Sequence, residues 1–233
     1  MSTREWTFSI TIWALVLVGA FAWWRWEAKA PDRRGPLVVT GVLVDEEHLV
    51  TPEMQAASEA MADRPAPGFV AESHEGRTID STSLVGDRPV FLVFIKDGCP
   101  CSTSAEPFFA RLHASYGDRA SFLGIIDGDV EVAKRWVTAH GTTYPVLADK
   151  DLEIVRAFEV QNSAYVVLID KEGQITAYWP GYSEEILREM SARLATLTGQ
   201  AEAEVGAEQA PELPYSGCPF PLDDADAAVA QEP

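Results

Sequence analysis

The apolar positions of the chain fall into runs whose periods predict alternating strands and helices through its middle. VFLVFI (90–95) is an unbroken apolar run rich in Val, Ile and Phe, the pattern of a strand buried on both faces. Residues 103–116 place Phe108, Phe109, Leu112 and Tyr116 at helical spacing. SFLGII (121–126) reads as a second buried strand, and Asp129 is positioned to cap a helix to about His140 with Val132, Trp136 and Val137 on one face. A short extended piece over 144–147 and a short helix over 151–158 follow, then a strand pair, 164–170 and 174–179, about the turn Lys171-Glu172-Gly173. From Ser183 a last amphipathic helix aligns Ile186, Leu187, Met190, Leu194 and Leu197. Ahead of all this, 69–71 and 78–80 flank His74-Glu75-Gly76 as a hairpin. Strands alternating with helices predict an α/β domain over 65–199, with a mixed central sheet flanked by helices.

The two ends read differently. No residue from Trp6 to Trp24 is charged, and Trp6, Trp23, Trp24 and Trp26 mark the limits of this stretch. Its length and aromatic flanks predict an uncleaved N-terminal transmembrane helix within an anchor over 1–26. A cleaved signal peptide is the rival, but Trp-Trp-Arg-Trp follows the apolar core where small residues belong. Arg25, Lys29, Arg33 and Arg34 after the span favour a cytoplasmic domain. Residues 27–64 read as a linker with local structure: a short strand over 37–44 and a short helix capped at Thr51. Residues 200–233 hold eight acids and no Lys or Arg, which predicts an acidic, disordered C-terminal tail.

The formal net charge of −18 repels phosphate backbones, so no nucleic acid is expected as a partner. Three cysteines, Cys99, Cys101 and Cys218, are too few for a disulfide scaffold or a four-cysteine zinc site. His48, His74, His113 and His140 are scattered without ligand spacing, and a metal site of Cys99, Cys101 and a histidine is the lesser alternative because no histidine follows at the place it needs, so no metal or cofactor is expected.

Element order with a cysteine directly after the first buried strand resembles the thioredoxin superfamily. The likeness is to membrane-anchored bacterial redoxins of the alkyl hydroperoxide reductase/thiol-specific antioxidant type. It rests on Ala66-Pro67-Gly68-Phe69, Gly76-Arg77-Thr78, Leu84-Val85-Gly86-Asp87-Arg88-Pro89 and Phe94 five residues before Cys99. It continues in Glu106-Pro107, Tyr144-Pro145-Val146-Leu147 and Leu168-Ile169-Asp170-Lys171-Glu172-Gly173. The resemblance implies a thioredoxin-like fold, a reactive Cys99, a protein thiol/disulfide partner or redox donor, and an extracytoplasmic domain, against the charge flanks. Two departures stand out. The motif reads Cys99-Pro100-Cys101-Ser102, with serine at the usual resolving position, and Ala164 occupies the place of the family's cis-proline.

Cys99 at a helix start is stabilised as thiolate by unpaired N–H groups and the helix dipole. Lys96 adds positive charge and Asp97 subtracts it. At about 100° per residue, Ser102 would face Cys99 and Cys101 would point away. A Cys99–Cys101 disulfide therefore needs strain or a non-helical turn. Cys218, in Tyr215-Ser216-Gly217-Cys218-Pro219-Phe220, is the other candidate to pair with Cys101 or Cys99, and Gly-Cys-Pro after the domain resembles tails of some redoxins. Three functions compete. A thiol–disulfide oxidoreductase using Cys99 leads. A thiol peroxidase would carry Pro at Leu92 and Thr or Ser at Lys96. A catalytically inactive interaction module would account for the altered motif.

Overall fold

The computed structural model describes residues 48–222. The predicted membrane span 6–24 and the strand 37–44 lie outside the described residues. Among the described residues no helix is long and apolar enough to cross a membrane.

The chain opens with helix α1 (Pro52–Met61), capped by the Thr51 hydroxyl, which accepts from the Met54 N–H at 3.2 Å. The hairpin follows as β1 (Val70–Glu72) and β2 (Thr78–Asp80). Strand β3 (Val90–Ile95) leads into α2 (Pro100–Tyr116), β4 (Ser121–Ile126) and α3 (Val130–His140). Then come β5 (Val146–Ala148), α4 (Glu153–Ala157), β6 (Val166–Ile169), β7 (Ile175–Trp179) and α5 (Glu184–Thr198). The main sheet has the order β5-β4-β3-β6-β7. β3 pairs parallel with β4 and antiparallel with β6, so the strand that delivers Cys99 is the central one.

Every residue of β3 is buried, because its side chains alternate between two apolar layers. Phe91, Val93 and Ile95 join Leu112 of α2, Trp136 of α3 and Leu187 and Met190 of α5. Leu92 and Phe94 join Met61 of α1 and Val155 of α4. Each such buried side chain contributes about 1.5–3 kcal/mol. Other segments bond to part of each sheet edge. Along β5, the His74 N–H donates to the Val146 carbonyl at 2.7 Å; along β7, the Asp63 N–H donates to the Ile175 carbonyl and the Ile175 N–H to that of Arg64.

Two elements differ from their sequence patterns. α2 begins at Pro100, three residues earlier than its apolar period, because proline at the first helical position needs no N–H partner. Cys99 is the N-cap residue, as its place at the exit of β3 predicts. β6 begins at Val166 because Ala164 adopts φ 61°, a left-handed backbone that costs a non-glycine residue about 1 kcal/mol or more.

Residues 200–222 correct the expectation of a disordered arm. Composition suggested solvation, but the acids alternate with small and aromatic side chains. Glu202, Glu204, Glu208 and Glu212 stay exposed, while Val205, Ala207, Tyr215 and Phe220 are buried. The Tyr116 hydroxyl, itself bonded to Ser191, accepts from the Ala203 N–H at 2.8 Å and fixes where this segment leaves α5. The remaining tail residues, 223–233, lie outside the described residues.

One buried acid on α2 has no part in the sequence reading. Glu106 accepts from Thr142 Oγ1 at 2.7 Å and from the Tyr144 hydroxyl at 2.6 Å, and burial pushes its carboxyl up to about 7. The folded protein thus keeps a proton that the unfolded chain releases at lower pH, so this group's contribution to stability falls as pH rises towards 7. Urea unfolding from pH 5 to 8 should show that decline in the wild type and a flatter profile for Glu106→Gln.

Candidate active site

Three segments meet at the start of α2. The first is the β3–α2 loop, which turns through Gly98 at φ 73°. It is held by the Lys96 N–H donating to Ser102 Oγ at 3.2 Å and by the Asp97 N–H donating to Asp127 Oδ1 at 2.6 Å. Ser102 is therefore buried as a loop clasp, its hydroxyl turned to the Lys96 backbone. The second is 161–163, ahead of the left-handed Ala164. The third is the tail segment 214–220, which lies against 161–163 as an extended strip. The Ser163 N–H donates to the Cys218 carbonyl at 3.0 Å, the Gly217 N–H to the Ser163 carbonyl at 2.9 Å, and the Phe220 N–H to the Gln161 carbonyl at 2.9 Å.

Two glycines permit this approach. A Cβ on Gly217 would lie 2.0 Å from Ser163 Oγ, and one on Gly181 would lie 2.3 Å from the Tyr215 carbonyl oxygen. Only glycine fits at such separations.

The docked tail brings Cys218 Sγ to 2.7 Å from Cys99 Sγ. That is far inside an ordinary non-bonded sulfur contact and beyond the bonded length of about 2.05 Å. The Cys218 N–H lies 3.3 Å and Ser163 Oγ 3.4 Å from the Cys99 sulfur, both as donors. Cys99 itself is only 2% exposed. Its thiol is pulled down to about 3, first by the Cys101 thiol, then by Cys218, Ser163 and the Ser102 backbone, against the opposing effect of burial. Cys99 is thus a thiolate in a shell of donors. Burial and the neighbouring Cys99 push Cys218 up to about 11. Cys101 is raised further still, chiefly because its thiol donates to Cys99. Its sulfur lies 3.8 Å from the Tyr215 hydroxyl, buried under the tail. Lys96 reaches over the Phe220 ring at 5.8 Å and favours ionisation of Cys218, so its charge acts on the tail sulfur.

Of the four residues singled out in the sequence, Cys99 and Cys218 meet directly, Cys101 flanks them, and Ser102 serves the loop. Ser163, Tyr215 and His48 were not foreseen. Ser163 had a signal, since it precedes Ala164 at the position the resemblance marks. His48 had none: it stands in an apparent linker, yet its carbonyl accepts from the Ser216 N–H at 2.7 Å.

A family model described as AhpC/TSA family matches residues 62–178, half of the chain. The chain belongs to the AhpC/TSA family. Within that family relationship, the thiol-disulfide oxidoreductase ResA of Halalkalibacterium halodurans is 27% identical over 133 residues, 56% of this chain and 75% of its own length. The ResA of Bacillus thuringiensis subsp. konkukian is 30% identical over 112 residues, 47% of this chain and 64% of its own. Two solved structures share the thioredoxin-like fold. MTB dsbF in its mixed oxidized and reduced forms has a TM-score of 0.50 at 24% identity, covering 56% of this chain and 95% of its own. Peroxidoxin BcpB from Mycobacterium tuberculosis has a TM-score of 0.50 at 21% identity, covering 60% and 97%. Cys99 falls inside the AhpC/TSA match, whereas Cys218 and His48 lie outside it.

The reduced protein treated with iodoacetamide and mapped by mass spectrometry should modify Cys99 at a rate flat from pH 5 to 8, since its sulfur is already ionised. Modification of Cys218 should rise about tenfold per pH unit over the same range. Gly217→Ala should loosen the tail by about 1–3 kcal/mol. Faster amide exchange at Ser163, Gly217 and Phe220, with faster Cys99 alkylation, is the readout.

Proposed function

We propose that the protein is a thiol–disulfide oxidoreductase whose redox couple is Cys99 with Cys218. The observation that carries this reading is the 2.7 Å approach of the two sulfurs, with Cys99 the ionised member. The names of the ResA relatives are consistent with it.

The chemistry follows from the tail. With 214–220 lifted, the Cys99 thiolate attacks a partner disulfide, one partner sulfur leaves as thiolate, and a mixed disulfide forms. Cys99 then no longer carries the charge that raised Cys218, so the tail thiol ionises more readily on its return. Cys218 attacks Cys99 Sγ and releases the partner's second sulfur. Two protein thiols have become one disulfide, the partner disulfide has become two thiols, and the Cys218 proton passes to the departing sulfur or to solvent. The reverse sequence oxidises a partner dithiol. Ser102 at the usual resolving position then needs no redox role, because the resolving sulfur arrives from the tail.

The peroxidase alternative finds less support. Leu92 and Lys96 stand at the positions that its pattern requires to be Pro and Thr or Ser. Anchoring through the uncharged stretch 6–24, with the domain outside the cytoplasmic membrane, is part of the same proposal. It is supported by the span's length and by the family resemblance.

Insulin reduction and oxidation of reduced ribonuclease test the reading. Cys99→Ser should abolish both, and Cys218→Ser should accumulate a mixed disulfide with the substrate. Mapping of the oxidised wild type should find Cys99 bonded to Cys218 and Cys101 free. Turnover that survives Cys99→Ser would sink the assignment.

A further inference from the structure

The docked tail also gathers a donor set wider than the redox couple. Cys101, which donates to the Cys99 thiolate, is buried against Tyr215 outside the Cys99–Cys218 pair. The chain ahead of α1 returns to this place: the His48 carbonyl accepts from the Ser216 N–H at 2.7 Å, and the Val50 N–H donates to the Pro214 carbonyl at 3.0 Å. These bonds fix His48 on the tail strip, with its ring 5.7 Å from that of Tyr215. As a result one imidazole nitrogen of His48 and the sulfurs of Cys101 and Cys218 lie within 4.8 Å of one another. The Cys99 sulfur borders the set, 2.7 Å from that of Cys218. Beside them the Tyr182 hydroxyl is buried with no hydrogen-bond partner among the described residues, and the charges of Cys101 and Cys99 bear on it.

We propose that the reduced protein binds one thiophilic d10 cation, Zn²⁺ or Cu⁺, through His48, Cys101 and Cys218, with Cys99 beside the fourth position. The donor types decide the class of ion. Thiolates and an imidazole select Zn²⁺ or Cu⁺ over oxygen-seeking cations, and two sulfurs with one imidazole make a three-ligand set with one position left over. Donors already within 4.8 Å need only a modest contraction onto sulfur and nitrogen bonds of about 2.0–2.3 Å. Binding forms metal–sulfur and metal–nitrogen bonds, sends the protons of Cys101 and Cys218 to solvent, and moves no electron. Because Cys218 serves both the ion and the disulfide, the metal-bound and oxidised forms exclude each other.

This inference does not rest on the redox reading. His48 has no part in the sulfur exchange of the disulfide couple, so loss of metal binding in His48→Ala with turnover retained separates the two readings, whereas Cys101 also donates to the Cys99 thiolate. The test titrates reduced full-length protein with Zn²⁺ against a chromophoric chelator, with Cu⁺ against a Cu⁺-specific one, and with Co²⁺ as a spectroscopic probe. One equivalent should bind, with a thiolate-to-cobalt charge-transfer band, and the two competition arms decide between the ions. His48→Ala and Cys101→Ser, checked for folding by circular dichroism, should each weaken binding by about tenfold or more, and protein oxidised to the Cys99–Cys218 disulfide should lose it. Reduced wild type that leaves the chelators loaded, or binding unchanged in His48→Ala and Cys101→Ser, would overturn the proposal.

Discussion

A negative sulfur under cover must be surrounded by donors, and most of this protein's unusual features supply them. Cys99 reaches the start of α2 on the central strand, so its position is fixed by the best-packed part of the fold. Its thiolate is then satisfied first by Cys101 on the helix itself, and from outside the helix by the Cys218 thiol and backbone and by Ser163. An ion taken out of water without such partners would cost several kcal/mol. The tail, the left-handed Ala164 and the glycines at 181 and 217 together make the covered thiolate tenable.

The departures from the family motif fall into place around the same contact. With Ser102 spent on the Lys96 backbone, the motif helix offers Cys99 no second sulfur in the usual register. The second sulfur comes from beyond the last helix. Ala164 turns the chain so that Ser163 offers both its N–H and its carbonyl to the tail strip, and that strip now lies across the motif.

The sheet was legible because VFLVFI and SFLGII have one economical solution, burial on both faces, and because Thr51, Asp129 and Ser183 announce their helices with cap side chains. Cys99 was legible from its place after β3. Cys218 was legible only as one of two candidates, since its pairing depends on a long return of the chain that no local pattern encodes. The approach of the Cys218 patch to the motif was expected, but the order of the whole of 200–222 was hidden by composition: the acids dominate the average, whereas the contact is made by Val205, Ala207, Tyr215 and Phe220 between and after them. His48 was hidden more completely, because long-range backbone bonds of 48–50 to 214–216 bring it to the sulfurs.

The partly occupied rims of the sheet carry a further implication. With the hairpin bonded to β5 and the chain after α1 bonded to the start of β7, part of each sheet edge is already taken by the protein's own backbone. The backbone of 161–163 is the stretch next to the reactive sulfur that accepts an extended chain, and the protein's own tail already fills it. An incoming polypeptide that binds in extended form must compete with a covalently attached rival present at high effective concentration. Selectivity among partners would then be exercised before any bond between sulfurs is exchanged.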